Sequence, residues 1–328
     1  MKSFKQAVTT CAVAALIFAA GTANAAAAAE LVLLGGETLV SSPKDDSYSW
    51  QLEYRQDLSK HLAAGISYLN EGHIKQHHRD GYTAQIWART QLLDNRLVLG
   101  AAVGPYFFLD TTSDSTSDGF SNNHGWKSMF SLAAAWQLED NLVLELRSNL
   151  VKWPNSFDST TILAGVGYSF EPAVVQTSSA SQDQEDKNEV TLFLGQTVVN
   201  SLNSQRSIAA SLEYRRHLSR HIDWTVAGLY EGDNRLVRRD GLITQLWATQ
   251  QLTKDLSVGA GAGAYFDIGK NDTPFIAAGS EDFLTGLITL TASYRFAHKW
   301  ALRVSWNRVI SNNQRDTDVI LGGLGYLF

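Results

Sequence analysis

Charged and amide residues that alternate with apolar ones are the part of this sequence able to bind a polar ligand or line an ion path. Glu53 and Arg55 lie two positions apart and return in the same order as Glu213 and Arg215. One interpretation is that such residues line a path for a ligand or an ion. The other is that they form a polar plug, because charges excluded from lipid must pair with one another. We favour the plug. The residues predicted to face a shared interior are Glu53, Arg55, Gln85, Trp87, Arg147, Asn149, Glu213, Arg215, Gln245, Trp247 and Asn307.

Three histidines, His73, His77 and His78, lie within six residues and are the strongest candidate metal ligands. A zinc site needs imidazoles that converge on one point. The equivalent positions in the second half of the chain hold no histidine, so the fold does not depend on imidazoles there. We therefore favour a solvated polar rim, and we predict neither a metal site nor a cofactor.

Sixteen segments of about ten residues position these side chains, because in each of them apolar and polar residues alternate with the period of a half-exposed strand. The polar set occupies one face and residues such as Leu52 and Leu144 occupy the other. The predicted strands lie near 30–40, 48–57, 62–71, 81–92, 97–108, 126–137, 142–151, 160–170, 189–199, 208–217, 222–231, 241–252, 256–266, 284–296, 300–310 and 316–328.

The composition excludes several classes of protein. The 328 residues are 44% apolar and 10% aromatic, which excludes a disordered chain. The single cysteine excludes a disulfide scaffold. A formal net charge of -6 gives no electrostatic basis for binding nucleic acid, so no nucleic-acid partner is expected.

The first residues have the pattern of a secretory signal. Lys2 and Lys5 precede an apolar run over 7–20, and Ala23-Asn24-Ala25 supplies a small-x-small cleavage site. The run is too short for a membrane-spanning helix, which needs about 20 apolar residues. We predict a signal peptide over 1–25 and export of the mature chain.

The remaining chain consists of two similar halves. Leu52-Glu53-Tyr54-Arg55 returns as Leu212-Glu213-Tyr214-Arg215, and Arg79-Asp80-Gly81 returns as Arg239-Asp240-Gly241. Halves of this length are too long for solenoid repeats and fit closed domains. The polar, serine-rich segment between them is typical of a flexible linker. The predicted organisation is a first barrel repeat over 26–170, a linker over 171–188 and a second repeat over 189–328.

The connections between strands indicate the medium around the sheet. Turns after strands two, four and six are tight, whereas connections after strands one, three, five and seven are long and polar, with 110–125 the longest. This asymmetry, with aromatic residues near the strand ends, is typical of transmembrane barrels of the bacterial outer membrane. The predicted partners are outer-membrane lipid and lipopolysaccharide, and Phe328 is predicted to be recognised by the barrel assembly machinery.

Two closures of the sheet are compatible with sixteen strands. One is a single sixteen-stranded barrel with an aqueous channel, and the other is two tandem eight-stranded barrels. We favour two barrels, because the 18-residue junction over 171–188 interrupts a side where the other turns are short, and because Tyr168-Ser169-Phe170 matches the closing Tyr326-Leu327-Phe328. The fold class is therefore an all-β transmembrane antiparallel barrel in two tandem eight-stranded repeats.

The closing stretch of each half resembles small bacterial outer-membrane barrels, most closely the lipid A deacylase (acyloxyacyl hydrolase) family. That family carries a His-x-Ser-Asn motif in an eight-stranded barrel. Here Ser148 and Asn149 match the Ser-Asn pair, but Leu146 stands at the histidine position, and the second half has Val304 and Trp306 at the His and Ser positions. Without an imidazole the hydroxyl has no general base. The resemblance implies the fold and argues against the activity.

The sequence thus predicts a non-enzymatic outer-membrane protein with a structural or surface-contact role and at most a narrow pore. The alternatives are a sixteen-stranded channel for small polar solutes and a degenerate lipid A-modifying hydrolase. Glu71 and Asp80 form one further candidate site, a carboxylate pair for hydrolysis. We prefer the interpretation that both are ordinary acids of a polar rim.

Overall fold

The computed structural model describes residues 28–41, 44–74, 76–113, 119–138, 141–152, 158–170, 187–201, 203–219, 221–234, 236–268, 283–311 and 315–328. The predicted signal peptide over 1–25 lies outside these residues, and so does the predicted linker apart from Lys187 and Asn188. Among the described residues, no helix is both long enough and apolar enough to cross a membrane.

The first unit, barrel 1, is built from eight antiparallel strands. They are β1 (Ala29–Ser41), β2 (Lys44–Asp57), β3 (Leu62–Ile74), β4 (His77–Leu92), β5 (Leu97–Ser113), β6 (Phe120–Gln137), β7 (Leu142–Lys152) and β8 (Ser159–Phe170). The ring closes where β1 pairs with β8, from Ala29 opposite Phe170 to Val40 opposite Ser159.

The second unit, barrel 2, repeats this arrangement. Its strands are β9 (Asn188–Val199), β10 (Arg206–Ser219), β11 (Ile222–Asp233), β12 (Arg238–Gln251), β13 (Leu256–Asp267), β14 (Leu284–Ala297), β15 (Trp300–Ile310) and β16 (Thr317–Leu327). The pairing of β16 with β9 closes it. Two separately closed rings confirm the predicted fold class, and the single sixteen-stranded barrel is wrong.

The two faces of each strand meet different surroundings. On β2, Gln51, Glu53 and Arg55 are buried in the interior, while Leu52 lies on the exterior. The exterior of both barrels carries large apolar side chains with much of their surface exposed. They include Leu33, Leu132, Leu144, Leu146, Ile162, Val166, Leu192, Leu194, Ile208, Leu212, Leu246, Leu302 and Val304. An apolar exterior around a filled polar interior is the pattern of a barrel whose outer surface lies in lipid.

The interior is packed by side chains. In barrel 1, Leu34, Leu69, Met129 and Leu163 belong to one buried apolar cluster, and barrel 2 has a matching cluster around Phe193 and Leu287. Eight strands enclose a space just wide enough for side chains to fill. The barrels are therefore closed cores.

The loops after strands one and three were predicted to be long, and this prediction is wrong. Only residues 42–43 separate β1 from β2, and only residues 75–76 separate β3 from β4. These strands continue past the apolar zone, where both faces are polar and alternation no longer marks a strand. The connection predicted over 110–125 is shorter than expected for the same reason. β5 extends to Ser113, and β6 already begins at Phe120.

Candidate functional site

A buried ion-pair network crosses the interior of barrel 1. Arg147 on β7 donates to Glu53 on β2 in a short contact, and its Nε donates to Glu145 Oε1 at 2.7 Å. Arg55 Nη2 donates to the other oxygen of Glu145, also at 2.7 Å. All four side chains are almost inaccessible to solvent. The strand pattern explains the arrangement, since residues two apart point to the same side of the sheet.

Trp87 lies at the centre of this network. Its Nε1 donates to Glu53 Oε1 at 2.9 Å. The guanidinium carbons of Arg55 and Arg147 lie 4.8 Å and 4.9 Å from its ring centroid. A cation over an indole face is attracted by the ring quadrupole, and more strongly when water is excluded. The indole thus occupies the middle of the barrel and fixes both arginines.

A belt of amides and hydroxyls forms the next layer. Gln85 Nε2 donates to Ser131 Oγ at 2.9 Å, and that hydroxyl donates to Asn149 Oδ1 at 2.7 Å. Asn149 Nδ2 in turn donates to Gln51 Oε1 at 2.9 Å and to Thr161 Oγ1 at 2.8 Å. The belt links β4, β6, β7, β2 and β8, so it connects strands on opposite sides of the ring.

Barrel 2 contains a related network with different partners. Arg303 Nη1 donates to Glu213 Oε1 at 2.8 Å, and Arg215 Nη1 donates to Asp223 Oδ2 at 3.0 Å. The Arg215 guanidinium lies 4.2 Å from the centroid of Trp247. Trp247 Nε1 donates to Thr225 Oγ1, where its counterpart in barrel 1 donates to a glutamate. The amide belt is reproduced by Gln245, Thr289 and Asn307.

The structure brings together the predicted interior residues within each barrel. Glu53, Arg55, Trp87 and Arg147 form the ion-pair layer, and Gln85 and Asn149 form the belt. Glu213, Arg215 and Trp247 form the ion-pair layer of barrel 2. The predicted network did not include Glu145, although strand alternation predicts that Glu145 faces inward with Arg147 and Asn149. It also did not include Arg303, for which the inward position on β15 was the available signal.

A third polar layer, also missed, lies nearer the end of each barrel where β3 joins β4 and β11 joins β12. Glu71 accepts a short hydrogen bond from Ser159 and lies 3.8 Å from Arg79 Nε. In barrel 2, Glu231 accepts from Thr317 Oγ1 at 2.6 Å and pairs with Arg239 Nε at 3.1 Å. The signal was the recurrence of both the glutamate and the arginine in the repeat.

The proposed carboxylate pair of Glu71 and Asp80 does not form. Glu71 points into the barrel, whereas Asp80 lies on the exterior side of β4 and accepts a hydrogen bond from Tyr68 at 2.5 Å. The two groups face opposite sides of the sheet, so they cannot act on one substrate.

The three histidines are also divided between the two sides. The rings of His73 and His78 stack with their centroids 4.4 Å apart, on the exterior face. His77 faces the interior, where its Nδ1 lies 2.8 Å from Asp110 Oδ2. The three imidazoles do not converge, and no group of three metal-ligating side chains occurs among the described residues.

The residues that match the hydrolase motif are separated by the same alternation. Leu146 and Ser148 lie on the exterior of β7, while Asn149 faces inward and is bonded within the amide belt. Leu146 supplies no base, so this position cannot activate the Ser148 hydroxyl.

Several solved structures show some similarity to this chain. No protein-family model and no curated protein match the chain. The N-terminal β-barrel domain of Pseudomonas aeruginosa OprF is similar at 10% identity, with 44% of this chain and 97% of that chain covered and a TM-score of 0.35. Ail, the attachment invasion locus protein of Yersinia pestis, is similar at 12% identity, with 44% and 97% covered and a TM-score of 0.35. The CymD monoaromatic hydrocarbon channel is similar at 9% identity, with 95% and 91% covered and a TM-score of 0.24.

This protein is an outer-membrane β-barrel. The assignment depends on two features of the chain itself, namely the closed antiparallel rings and the apolar side chains around their exterior. An open sheet could not span lipid, because its edge groups would lack hydrogen-bond partners. The predicted location in the outer membrane is confirmed.

Proposed function

We propose that the protein is a non-enzymatic outer-membrane protein whose two barrels are plugged by their own side chains and which acts through its surfaces. Those surfaces meet membrane lipid and lipopolysaccharide, or a partner at the cell surface. The observation that carries this proposal is the pairing of Arg147 with both Glu53 and Glu145 across the middle of barrel 1.

The plug is continuous along the barrel axis. The ion-pair layer around Trp87 is followed by the amide belt around Asn149 and then by the layer around Glu71. In the first and third layers each arginine lies within ion-pair distance of a glutamate, and such pairing is what makes buried charges tolerable. An ion would have to break several charge-assisted hydrogen bonds in succession to pass.

Planar-bilayer recording tests the plug. The wild-type protein is expected to show no steady conductance, while vesicle flotation and heat-modifiable migration in gels establish independently that it is folded and inserted. Steady conductance that Glu53→Gln alters would overturn the proposal. Lys152→Gln is the matched control, because Lys152 is exposed beyond the plug and pairs only with the half-exposed Asp158.

The non-enzymatic assignment has a separate test. Lipid A from cells with and without the protein is compared by mass spectrometry. The expected result is an unchanged acylation pattern, because the exterior of β7 presents Leu146 beside Ser148 and offers that hydroxyl no base. Loss of an acyl chain only in cells that carry the protein would overturn this part of the proposal.

Recognition by the barrel assembly machinery is proposed to use Phe328. Its backbone N–H donates to Asn188 O at 2.9 Å, and its ring is exposed beside Tyr326 on the exterior. The ring is thus available for recognition even though the backbone helps close barrel 2. Phe328→Ala is expected to reduce the folded protein in the outer-membrane fraction, and an unchanged amount would contradict this role.

A further inference from the structure

The inner end of barrel 2 has exposed basic side chains at its rim. The connections at this end are the shorter ones of the barrel, and short connections lie on the periplasmic side of outer-membrane barrels. They are 220–221, 252–255 and 298–299. Arg216, Arg295 and Lys299 lie at this end, and all three are exposed. We call these three residues the basic collar.

Strand register shows which residues barrel 1 has at the same three positions. Each member of the collar has a neutral amide as its counterpart. The pairs of counterparts are Arg216 and Gln56, Arg295 and Gln137, and Lys299 and Asn141. The fold therefore requires no positive charge at these positions, and the collar is a property of barrel 2 alone.

The collar has no counter-ion within the part of the chain that the structure describes. None of its three cationic groups forms an ion pair or donates a side-chain hydrogen bond there. Asp255, the one exposed acidic side chain described at this end, meets Arg295 through the backbone, where Arg295 N donates to Asp255 O at 2.7 Å. The buried acids Glu189 and Asp223 already have arginine partners. Clustered charges of one sign favour a partner of the opposite sign.

Aromatic side chains at the same level place the collar beside lipid headgroups. Lys299 Nζ lies 5.8 Å from the centroid of the Tyr326 ring, and the Trp300 ring lies 5.1 Å from that ring. Arg216 pairs with Trp224 of the next strand, and both lie on the exterior. Tryptophan and tyrosine concentrate where the apolar surface of a membrane protein meets the headgroups. Arg216 and Lys299 therefore border the membrane.

We propose that the collar binds anionic phospholipid headgroups of the inner leaflet, whose phosphate oxygens accept hydrogen bonds from Arg216 and Lys299. This inference rests on the proposed function, because it names the lipid class that one surface of the protein meets. Hydrogen bonds between cationic donors and phosphate are charge-assisted and short. A zwitterionic headgroup carries an ammonium of its own, which the collar repels. Arg295, at the mouth of the barrel, adds to the positive potential.

Native mass spectrometry of the full chain tests this assignment. The protein is purified in a nonionic detergent and exposed to equimolar phosphatidylglycerol and phosphatidylcholine with the same acyl chains. The wild type is expected to retain phosphatidylglycerol in preference to phosphatidylcholine. Equal retention of the two lipids would overturn the proposal.

Three variants separate the collar from general charge attraction. R216Q/K299N installs the residues of barrel 1 and is expected to reduce the preference at least about tenfold. R216K/K299R keeps both charges and is expected to keep the preference. R238Q is the matched control, because Arg238 is exposed at the opposite end of the same barrel, and it is expected to behave as the wild type. Equal losses in R216Q/K299N and R238Q would overturn the assignment, provided that heat-modifiable migration shows every variant folded.

Two other anionic partners would give different results. A preference for phosphatidylglycerol that appears only after Asp183, Glu185 and Asp186 are replaced by amides would assign the collar to the acidic part of the linker. Sedimentation with purified peptidoglycan that R216Q/K299N abolishes, without any lipid preference, would assign it to a periplasmic polymer. Either result would overturn the proposal. Neither would alter the bilayer recording, so failure of the collar is distinguishable from failure of the proposed plug.

Discussion

Glu145 and Arg303 occupy the same position in the two barrels and carry opposite charges. Glu145 lies opposite Gly165 on β8, and Arg303 lies opposite the equivalent Gly323 on β16. Each nevertheless has a buried partner on the second strand of its barrel, Glu145 with Arg55 and Arg303 with Glu213. The second strand presents an acid and a base on one inward face, so a facing residue of either sign is neutralised.

The surrounding positions compensate for this reversal. By strand register, Ser305 occupies the position of Arg147, and Asp223 occupies the position of Ala63. The pair Asp57–Arg89 is replaced in barrel 2 by His217 and Thr249. In the ion-pair layer of barrel 1 the acids are Glu30, Glu53, Asp57 and Glu145, and the arginines are Arg55, Arg89 and Arg147. In the ion-pair layer of barrel 2 the acids are Glu189, Glu213 and Asp223, and the arginines are Arg215 and Arg303. Within this layer, each barrel therefore has one more acid than arginine although the pairs are rearranged.

The first prediction exchanges the network of barrel 2 for that of barrel 1. R303E removes the arginine paired with Glu189 and one of the two paired with Glu213, and breaking a buried ion pair costs about 3–5 kcal/mol of folding free energy. The double variant R303E/S305R restores a base at the position where barrel 1 has one, so it is expected to recover most of this loss. Urea unfolding in lipid vesicles measures both variants. A double variant no more stable than R303E would show that the two networks are not interchangeable.

The second prediction concerns the cost of removing a plugged arginine. R147M removes one of the two arginines paired with Glu53 and one of the two paired with Glu145, so we expect a loss of about 3–5 kcal/mol. The matched control is K152M on the same strand, which breaks only the exposed pair with Asp158 and is expected to cost less than about 1 kcal/mol. Similar midpoints of urea unfolding for the two variants would contradict the assignment of Arg147 to the network.

Much of the fold follows from the sequence because strand periodicity is two. Once Leu52 is placed in lipid, Glu53 and Arg55 must face the interior, and the structure has them there. The repeat also identified both barrels, because the closing Tyr-x-Phe segments recur. Strand ends were less predictable, since His77 and His78 lie where a strand has polar residues on both faces.

The pairing inside the barrels could not be predicted in full. Identical residues in the two halves indicate the shared role of Glu53 and Glu213, but Glu145 and Arg303 give no such indication because their types differ. The exchange of Tyr68 for Gly228 also has no visible meaning in the sequence until strand register places the two residues at one position. Differences between repeats carry information only after pairing is known.

The third prediction concerns zinc. His73 and His78 face the exterior and His77 faces the interior, so the three rings cannot share one ion. Calorimetric titration with zinc is expected to show no site that requires all three residues. Any heat that is observed should be unchanged in H77A. A stoichiometric signal that both H77A and H73A abolish would show that the rings converge after all.

The fourth prediction concerns the independence of the two barrels. Lys187 is exposed and is the one basic residue in 171–188, so trypsin is expected to cleave after it. Because the β1–β8 and β9–β16 pairings lie on opposite sides of this cut, both fragments should keep heat-modifiable migration. K187Q is the control and is expected to stay uncut there. Fragments that lose heat-modifiable migration once separated would contradict independent closure.

The last prediction uses two adjacent glycines on β1 to test barrel closure. A Cβ on Gly36 would lie well inside van der Waals contact with the Ile162 carbonyl oxygen of β8, whereas a Cβ on Gly35 would meet nothing within 4 Å. G36A must therefore push the closing strands apart, and overpacking of this kind costs about 1–3 kcal/mol.

G35A is the matched control. It places a methyl group in open space on the exterior and restricts the unfolded chain, so it is expected to be neutral or stabilising by about 0.4–1 kcal/mol. Urea unfolding of the two variants in lipid vesicles measures the difference. Gly36 pairs with Leu163 of β8, and this pairing requires the two backbones to approach closely. If G36A were as stable as G35A, that close approach would be contradicted.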